Sequence, residues 1–413
     1  MNLRIIKKYI KKIVPVSKIK KEAKAVFFDT SIYEITELNS RKSDFLDKRL
    51  NLLVPSINEE HLFGGISTAL KFYEKLCEKN KIKMRIIVTD AKPERKDIDK
   101  FKEYTLTNWD KDLNLDKQIV IMNDRYGKDI PVWKNDIFMA TAWWTAYNAI
   151  KLITWQKTNY QVKNKFIYFI QDFEPGFYPW GNQYLLAEST YKSEVETIAI
   201  FNTSLLKKYF KKNDYNFSEE YSFEAKINPT LRKELIKIKE IEKKKKIFIY
   251  GRPSVHRNCF NLIIEGIKKC NNLESENWEI ISAGEPHPEI KISKNLKIVS
   301  KGKLSLEEYS QLLKESYIGI SLMASPHPSY PPLEIAAFGG NVITNNFQNK
   351  NYSTKKNKNI YSIENVSPDS IAKKIIELVS KFEKNKIVKI DYDLNDTYIN
   401  DEDPFKIIEN IEF

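Results

Sequence analysis

One segment of the chain combines residue types that could bind a nucleotide: Ser325 to Thr344, which reads SPHPSYPPLEIAAFGGNVIT. It runs between two apolar stretches typical of strands and contains a Pro-rich loop, one carboxylate at Glu334 and the pair Gly339-Gly340. A carboxylate at a helix start can accept hydrogen bonds from ribose hydroxyls, and N–H groups ahead of it can bind phosphate. The helix dipole would also stabilise Glu334 in a purely structural role.

The loop in the middle of this segment offers further polar groups. Ser329 and Tyr330 carry backbone N–H groups that could contact a phosphate, whereas Pro331 and Pro332 have none and serve to fix the loop. His327 lies between two prolines and could hydrogen-bond a phosphate or a sugar hydroxyl, or could only stabilise the loop. These groups extend the predicted nucleotide site to the N-terminal side of the helix.

Basic residues follow two other predicted strands in the same half of the chain. Tyr250 to Arg257 reads YGRPSVHR, which places Arg252 at the end of a strand and Arg257 at the start of the next helix. Two guanidinium groups there suit a diphosphate, although each could instead pair with a surface acid. Lys303 lies in a loop just ahead of a capping box, SLEE, and could reach a phosphate or a base, or could only be solvated.

The first half of the chain contains two candidate sites of its own. Gly64 and Gly65 open a predicted helix after the first strand, as a backbone that approaches a phosphate or a sugar would require. Asp172 and Glu174 follow the apolar strand FIYFI, and four aromatic residues surround them: Phe173, Phe177, Tyr178 and Trp180. Carboxylates with stacking aromatics suit a sugar. The alternative is an aromatic loop packed over the sheet, with both carboxylates capping the helix that follows.

Alternating strands and helices must position these groups. Strand patterns lie near residues 51–55, 84–89, 118–122, 136–141, 166–170 and 197–201, and, after a charged segment at 231–246, near 247–250, 278–282, 297–299, 317–323 and 341–344. Helical patterns lie between them, which predicts parallel sheets covered on both faces. We expect an α/β fold with two doubly wound, Rossmann-like domains facing each other across a cleft, with ligands at the carboxyl ends of the strands.

The predicted division of the chain has four parts. Residues 1–49 form a basic extension, residues 50–240 a first Rossmann-like domain that holds an acceptor, and residues 241–385 a second one that holds a nucleotide. Residues 386–413 form a tail that could return to pack on the first domain. A chain of 413 residues exceeds what one hydrophobic core usually organises, which agrees with two domains.

The net charge of +13 is concentrated at the N-terminus, where nine of the first 28 residues are Lys or Arg against one Glu. Apolar residues recur there at helical spacing, so the leader is a basic amphipathic helix that could lie on an anionic membrane face or pack on the protein. Nucleic-acid binding is a third reading, without a supporting motif. No apolar run is long enough to span a membrane, and no cleavable signal is evident, so we expect a cytoplasmic protein, either free or peripheral on the membrane.

Several familiar chemistries have no motif in this sequence. The chain has no Walker A loop, GxGxxG, HExxH or GxSxG pattern, and its Asp-x-Asp pairs lie in charged surroundings away from apolar strands. Cys77, Cys259 and Cys270 lack CxxC spacing and are expected to be reduced packing residues. We therefore expect neither a metal site nor a disulfide.

Five motifs, in order, give the chain a family resemblance. It resembles the WsaF-like rhamnosyltransferases of the retaining family 4 glycosyltransferases from about Asn51 to Phe382. The matching segments are NLLVPSINEEHLFGG, FIQDFEPGFYPWGNQYLLAESTY, YGRPSVHRN, GKLSLEEY and SPHPSYPPLEIAAFGG. One departure from the broad family is Pro326, which stands where a second Glu commonly contacts the donor sugar. The Pro-rich loop thus has the form of the WsaF-like subgroup.

The resemblance implies a GT-B fold, a dTDP-β-L-rhamnose donor, no metal or other cofactor, and transfer to a growing surface glycan or a lipid-linked acceptor. By the same likeness, Arg252 grips the diphosphate, Glu334 binds ribose and Lys303 is the lysine of the second-domain loop. Asp172 would then orient the donor sugar or the acceptor. A transferase for another nucleotide sugar and a non-catalytic glycan- or membrane-binding protein are the alternatives.

Overall fold

The computed structural model describes residues 31–62, 64–352, 358–390 and 396–413. Met1–Glu37 and Leu38–Phe413 are separate compact units. In the first unit, the described residues contain a 3-10 turn at Tyr33–Ile35. The basic helix predicted for the leader lies outside the described residues.

The first part of the larger unit alternates strands with helices, as the apolar periodicity predicts. Its elements, in chain order, are β1 (Asn39–Lys42), β2 (Arg49–Val54), α1 (Gly65–Asn80), β3 (Lys83–Val88), α2 (Arg95–Ile98), β4 (Thr105–Thr107), β5 (Lys117–Ile121), β6 (Asp129–Val132), β7 (Asp136–Ala140), α3 (Trp143–Tyr160), β8 (Phe166–Ile170), α4 (Asn182–Tyr191), β9 (Thr197–Asn202), α5 (Ser204–Lys212) and β10 (Glu219–Phe223).

Eight of the described strands form the first sheet, in the order β10-β9-β8-β7-β2-β3-β5-β4. Every neighbouring pair is parallel. The central strands β2, β7, β8 and β9 are buried along their whole length, because both faces of the sheet carry apolar clusters. The carboxyl ends of these strands therefore share one edge, and the loops that follow them meet there.

The second part repeats this plan. Its elements are α6 (Pro229–Leu235), β11 (Glu240–Glu242), β12 (Lys244–Gly251), α7 (Phe260–Lys268), β13 (Glu279–Gly284), β14 (Ile290–Lys291), β15 (Lys297–Ser300), α8 (Leu306–Glu315), β16 (Ser316–Ile320), α9 (Pro331–Ala337), β17 (Asn341–Asn345), β18 (Ile360–Ile363), α10 (Pro368–Ser380), α11 (Phe382–Asn385) and β19 (Ile387–Lys389). Seven described strands form the sheet β14-β15-β13-β12-β16-β17-β18, parallel except at β14.

The charged segment between the two sheets is folded rather than extended. It contributes helix α6, strand β11, which pairs antiparallel with β19, and the first residues of β12. Its lysines lie mostly at the surface, while Leu231 and Leu235 of α6 pack into the core of the second domain. The division of the chain at residues 50, 241 and 386 stays a prediction.

The C-terminal segment contacts both domains. The N–H of Ile227 donates to the carbonyl of Tyr398 at 2.9 Å, and Ile399 belongs to a core cluster of the second domain. Farther along, Phe405, Ile408 and Ile411 are buried in the cluster beneath the first sheet. The segment from Asp396 onward thus adds apolar side chains to two cores.

Candidate functional site

A cavity of about 1680 Å³ lies between the two domains, with walls formed by loops that follow strands of both sheets. Six of the ten residues predicted as a site line it: Gly64, Gly65, Arg252, Lys303, Tyr330 and Glu334. The loops after β2, β12 and β15 and the start of α9 supply these six residues. A smaller cavity of about 560 Å³ lies beside Lys83 at the opposite edge of the first sheet, away from this group.

Glu334 lies in the first turn of α9, half-buried in the wall of the cavity. The O–H of Tyr309, from α8, donates to its Oε2 at 2.8 Å. Burial raises the pKa of Glu334 to about 7, and the hydrogen bond from Tyr309 acts in the opposite direction. One carboxylate oxygen is therefore oriented by the half-buried phenol of Tyr309, in a position where a ligand hydroxyl could donate to the carboxylate.

The short helix α9 comes unusually close to the second sheet. A Cβ at Gly319, in β16, would lie 2.6 Å from Cγ2 of Ile335, and one at Gly340 would lie 2.7 Å from the same atom. Only residues without a side chain leave room for this approach. The pair Gly339-Gly340 also ends the helix, since Gly339 has a φ of 76°.

Arg252 follows the last residue of β12, and its guanidinium is partly exposed at the cavity. Its Nε–H donates to Oε1 of Glu285 at 3.3 Å. The same carboxylate accepts from the N–H and O–H of Ser254 at 3.0 and 2.7 Å. Glu285 therefore orients the arginine at the strand end. Gly251 is required beside it, because a Cβ there would lie 1.9 Å from Oγ of Ser282.

Lys303 is exposed at the cavity in the loop after β15. Gly302 precedes it with a φ of 60°, a left-handed conformation that glycine adopts without strain. Ser305 caps α8, and the reciprocal hydrogen bonds with Glu308 form the capping box that the sequence predicts. The cap fixes the turn from which the lysine projects.

The Gly64-Gly65 pair starts α1 on the opposite wall of the cavity. Gly64 has a φ of 53°, in the left-handed region. At Gly65 a Cβ would lie 2.1 Å from Oε1 of Gln171, the residue after β8. Gly65 therefore allows the loop after β2 to pack directly against the loop after β8. Both glycines also expose backbone to the cavity.

Asp172, Arg257, His327 and Ser329 are not among the residues that line this cavity; they form a second group, in which the domains touch. Asp172, from the first domain, accepts a hydrogen bond from the O–H of Ser325 in the second. Its Oδ2 lies 3.6 Å from Nε of Arg257. The guanidinium carbon of Arg257 lies 3.9 Å from the ring centroid of Phe177, and burial lowers the pKa of this arginine. These contacts join the carboxyl edges of the two sheets.

His327 and Ser329 bind each other within their loop. Nδ1 of His327 accepts the N–H of Ser329 at 3.1 Å, and the N–H of His327 donates to Oγ of Ser325 at 3.0 Å. Burial lowers the pKa of His327 to about 4, so the ring is neutral at physiological pH. The N–H of Ser329 is thus engaged inside the loop in this structure. Tyr330, the next residue, donates its O–H to Oδ1 of Asn202 in the first domain at 3.0 Å.

The aromatic loop after β8 has two different halves. Phe173 is buried among Tyr191, Tyr209, Phe210 and Tyr215. Glu174 is buried as well: it accepts the N–H of Trp143 at the start of α3, and burial raises its pKa to about 8. In contrast, Trp180 is 90% exposed. Glu174 therefore caps α3, which precedes this loop in the chain, and not the helix that follows it, α4, while the end of the loop faces solvent.

Sequence reasoning did not single out four side chains that complete these groups: Tyr309, Glu285, Ser325 and Asn202. Tyr309 is the last residue of the GKLSLEEY motif and Ser325 is the first of the Pro-rich motif, so the sequence motifs could have identified both. Glu285 and Asn202 each stand at the end of a strand, and only the meeting of loops in space gives them a role.

The part of the chain that the structure describes contains neither a cluster of metal ligands nor a membrane-spanning helix. Among those residues, His, Cys, Asp and Glu side chains form no group of three or more that could hold a metal ion. No helix there has the length and apolar character needed to cross a membrane.

Two family models match the chain. Residues 49–204 match "WsaF, N-terminal domain" and residues 245–376 match "WsaF, C-terminal domain". A relative in Myxococcus xanthus, "O-antigen biosynthesis protein RfbC", is 31% identical over 211 residues. That alignment covers 51% of this chain and 15% of the relative, so the chain spans a small part of the longer protein.

Solved structures resemble the fold over more than four fifths of the chain. HepE of Anabaena, in complex with UDP and glucose, has a TM-score of 0.52 at 9% identity, covering 82% of this chain and 91% of that one. WaaG, a glycosyltransferase involved in lipopolysaccharide biosynthesis, has a TM-score of 0.52 at 11% identity, covering 87% and 98%. Sucrose-phosphate synthase of Thermosynechococcus elongatus has a TM-score of 0.50 at 9% identity, covering 81% and 90%. At such identity the likeness shows the fold alone, which is GT-B.

Proposed function

This chain belongs to the WsaF family of GT-B glycosyltransferases, and we propose that it transfers L-rhamnose from dTDP-β-L-rhamnose to a growing surface glycan, with retention of anomeric configuration. The observation that carries the proposal is the cavity between the domains. It brings a basic pair, Arg252 and Lys303, to the same wall as the half-buried carboxylate of Glu334. The dTDP part of the donor has complementary groups: two anionic phosphates and the free hydroxyl of its deoxyribose.

The proposed roles follow from these positions. Glu334, held by Tyr309, accepts hydrogen bonds from the hydroxyl of the nucleotide sugar ring. Arg252, oriented by Glu285, binds the diphosphate together with Lys303. The phenol of Tyr330 adds a flat surface to the same wall. Arg257 is not among the residues that line the cavity, and its Nε lies 3.6 Å from Oδ2 of Asp172. In this proposal it acts on the sugar side of the phosphates.

The reaction breaks the bond between the anomeric carbon of rhamnose and the outer phosphate oxygen of the donor. The acceptor hydroxyl oxygen forms a new bond to that carbon on the same face, and its proton passes to the leaving phosphate oxygen. Negative charge develops on the departing dTDP, where fixed cations lower the barrier because their positions need no rearrangement. Asp172, at the contact between the domains, orients the sugar or the acceptor.

A panel of donors tests the proposed substrate. The full-length protein is incubated with a rhamnose oligosaccharide acceptor and, in turn, dTDP-rhamnose, UDP-glucose and a GDP-sugar. We expect transfer from dTDP-rhamnose and weaker or no transfer from the others. Transfer from UDP- or GDP-sugars alone would contradict the assignment of the donor.

Two lysines in one loop give a matched test of the donor site. Lys303→Ala should raise the donor KM about tenfold or more, because a phosphate loses a charge-assisted hydrogen bond. Lys301→Ala, also exposed and two residues away, should have wild-type kinetics. Arg252→Ala should remove transfer and leave the circular dichroism spectrum and the melting temperature unchanged. Wild-type turnover of this variant would exclude Arg252 from the mechanism.

One comparison favours a second candidate donor. HepE, which shares the fold, was solved with UDP and glucose, so a uridine nucleotide is the next donor to consider. If the protein bound no nucleotide sugar in calorimetry, a non-catalytic glycan- or membrane-binding role would be favoured instead. The acceptor in the proposal is a glycan or a lipid-linked glycan at the cytoplasmic membrane face. Contact of the basic leader with that membrane stays a prediction.

A further inference from the structure

An exposed aromatic patch stands at the end of the loop after β8. Trp180 is 90% exposed, and its ring centroid lies 6.5 Å from that of Tyr184, in the first turn of α4. Leu185, the next residue, is 64% exposed. We call these three residues the aromatic ledge. Trp180 buries little of its apolar area on folding, and it lies beside two other apolar side chains. Such an exposed apolar group is typical of a binding surface.

The ledge is connected to the cavity by a series of aromatic contacts. Asp90 lines the cavity and accepts the indole N–H of Trp144 at 2.6 Å. Trp144 packs edge-on against Trp143, with ring centroids 5.7 Å apart. The indole N–H of Trp143 in turn donates to the O–H oxygen of Tyr178 at 3.0 Å, two residues before Trp180. Trp143 is fully buried, so this path runs through the interior beneath the loop, while the loop that carries Trp180 leaves the carboxyl edge of the first sheet, where Asp172 meets the second domain.

The charge of this region distinguishes between two kinds of ligand. The sequence from Gln171 to Tyr191 contains no Lys or Arg, and two of its three carboxylates, Asp172 and Glu174, are buried, so the segment brings little charge of either sign to the surface. A surface that inserts aromatic side chains into an anionic membrane is normally flanked by Lys and Arg residues. This segment has none, so it lacks the charge that such a membrane would attract. It has instead two amide side chains beside the ledge, Asn182 and Gln183, which can donate to and accept from hydroxyls.

We propose that the aromatic ledge binds the acceptor glycan, stacking on a sugar ring that lies beyond the ring receiving the transferred sugar. A sugar ring is amphipathic: its C–H face packs on an aromatic face, and its hydroxyls remain at the edge, within reach of amides. The proposal rests on the proposed function, because it requires an acceptor that is a chain of sugars. Stacking on the aromatic ledge would give longer acceptors a lower KM than short ones.

Acceptors of two lengths test the ledge. For full-length protein, KM is measured for a rhamnose disaccharide and a rhamnose hexasaccharide at saturating donor. In Trp180→Ala the ratio of the hexasaccharide KM to the disaccharide KM should rise about tenfold, which corresponds to about 1.4 kcal/mol. Trp180→Phe, which retains an aromatic face, should keep most of the wild-type ratio. Leu46→Ala is the control: Leu46 is 66% exposed but precedes β2, at the amino edge of the sheet.

A binding measurement separates failure of this proposal from failure of the proposed reaction. The hexasaccharide, without donor, is titrated into wild type and Trp180→Ala by calorimetry. An unchanged KM ratio in an enzyme that transfers rhamnose would overturn the ledge and leave the reaction standing. Weaker hexasaccharide binding by the variant of a protein that transfers from no donor would support the ledge and overturn the reaction. Loss of binding to anionic phospholipid vesicles, with hexasaccharide binding intact, would identify a membrane surface and overturn the ledge.

Discussion

Glu334 is a carboxylate whose ionisation in the cavity falls close to neutral pH. Burial raises its pKa to about 7 from an ordinary value of 4.5, so the native protein binds a proton there more tightly than the unfolded chain does. Ionisation of Glu334 therefore disfavours the folded protein progressively as the pH rises from 4.5 towards 7. A ligand that donates hydrogen bonds to the carboxylate offsets this cost, so the charged form is the one suited to the deoxyribose hydroxyl of the proposed donor.

The affinity for the donor should therefore rise with pH. We expect the donor KM of the wild type to fall about fivefold between pH 6 and pH 8, since hydrogen bonds to a charged acceptor are stronger than those to a neutral one. In Glu334→Gln this dependence should disappear, because the side chain no longer ionises. A dTDP-sugar is the proper probe, since its diphosphate has no group that titrates in this range.

Glu289→Gln serves as the control for that experiment, because Glu289 is an exposed glutamate of the same domain that pairs with Lys297. It should retain the wild-type pH profile. A profile that stays unchanged in Glu334→Gln would mean that another group controls donor binding.

Single residues of the site were partly predictable. Arg252, Lys303 and Glu334 belong to motifs at strand ends, and parallel strands bring their carboxyl ends to one edge, so the sequence sufficed to group them. The separation of Asp172 and Arg257 from the cavity was not predictable. It depends on which loops of the two domains touch, and that is set by packing between residues far apart in the chain.

At the scale of elements, α9 shows how packing presents a charged group. Proline at its first two positions fixes the entry of the helix, and Ile335 fills the space left by Gly319 and Gly340. The helix thereby lies against β16 and β17 while its first turn remains at the cavity. The position of Glu334 thus depends on two glycines that are not among the residues lining the cavity.

Gly319→Ala should weaken this packing. The added Cβ would lie 2.6 Å from Cγ2 of Ile335, so we expect a loss of about 1–3 kcal/mol in the free energy of unfolding and a higher donor KM. Urea unfolding of Gly319→Ala, Ile335→Ala and the double variant measures the coupling. The double variant should be less destabilised than the sum of the two single changes. If the two single changes in the free energy of unfolding added up to that of the double variant, contact between the new Cβ and Ile335 would not be the cause of the destabilisation.

Long buried elements were predictable from periodicity, and short or polar ones were not. The strands β2, β3, β7, β8 and β9 lie within two residues of their expected ends, because continuous apolar runs suit a sheet covered on both faces. The pair formed by β1 and β6 was missed, because NSRK and DIPV have no apolar pattern of their own. Neither was it evident that Phe173 would face the core and Trp180 the solvent, since loop aromatics carry no periodicity.

For the molecule as a whole, the C-terminal segment matters because its side chains belong to the cores of both domains. Lys79 on α1 donates to the carbonyl oxygens of Ile408 and Glu409 at 3.1 and 2.9 Å, which fixes the final turn against the first domain. Asp403 to Phe405 also line the cavity. The stability of the first domain therefore includes residues that follow the second in sequence.

Ile411→Ala should destabilise the first domain although it lies two residues from the end of the chain. Ile411 is fully buried, so we expect a loss of about 2–5 kcal/mol, measured as a lower midpoint of urea unfolding by tryptophan fluorescence. Glu409→Ala, an exposed position in the same turn, should unfold like the wild type. Equal midpoints for Ile411→Ala and the wild type would show that the segment contributes no stability.

The phenol of Tyr330 faces the cavity and also donates to Asn202 of the other domain. Any ligand that shifts this ring changes the hydrogen bond across the domain contact, and any change at Asn202 changes the ring that the ligand meets. Ligand binding and the hydrogen bond between Tyr330 and Asn202 are coupled by a single free energy. Each therefore changes the equilibrium constant of the other by the same factor. Under the proposed function, donor affinity is therefore a property of both domains: a substitution at Asn202, which is not among the residues that line the cavity, should change how tightly the nucleotide is held.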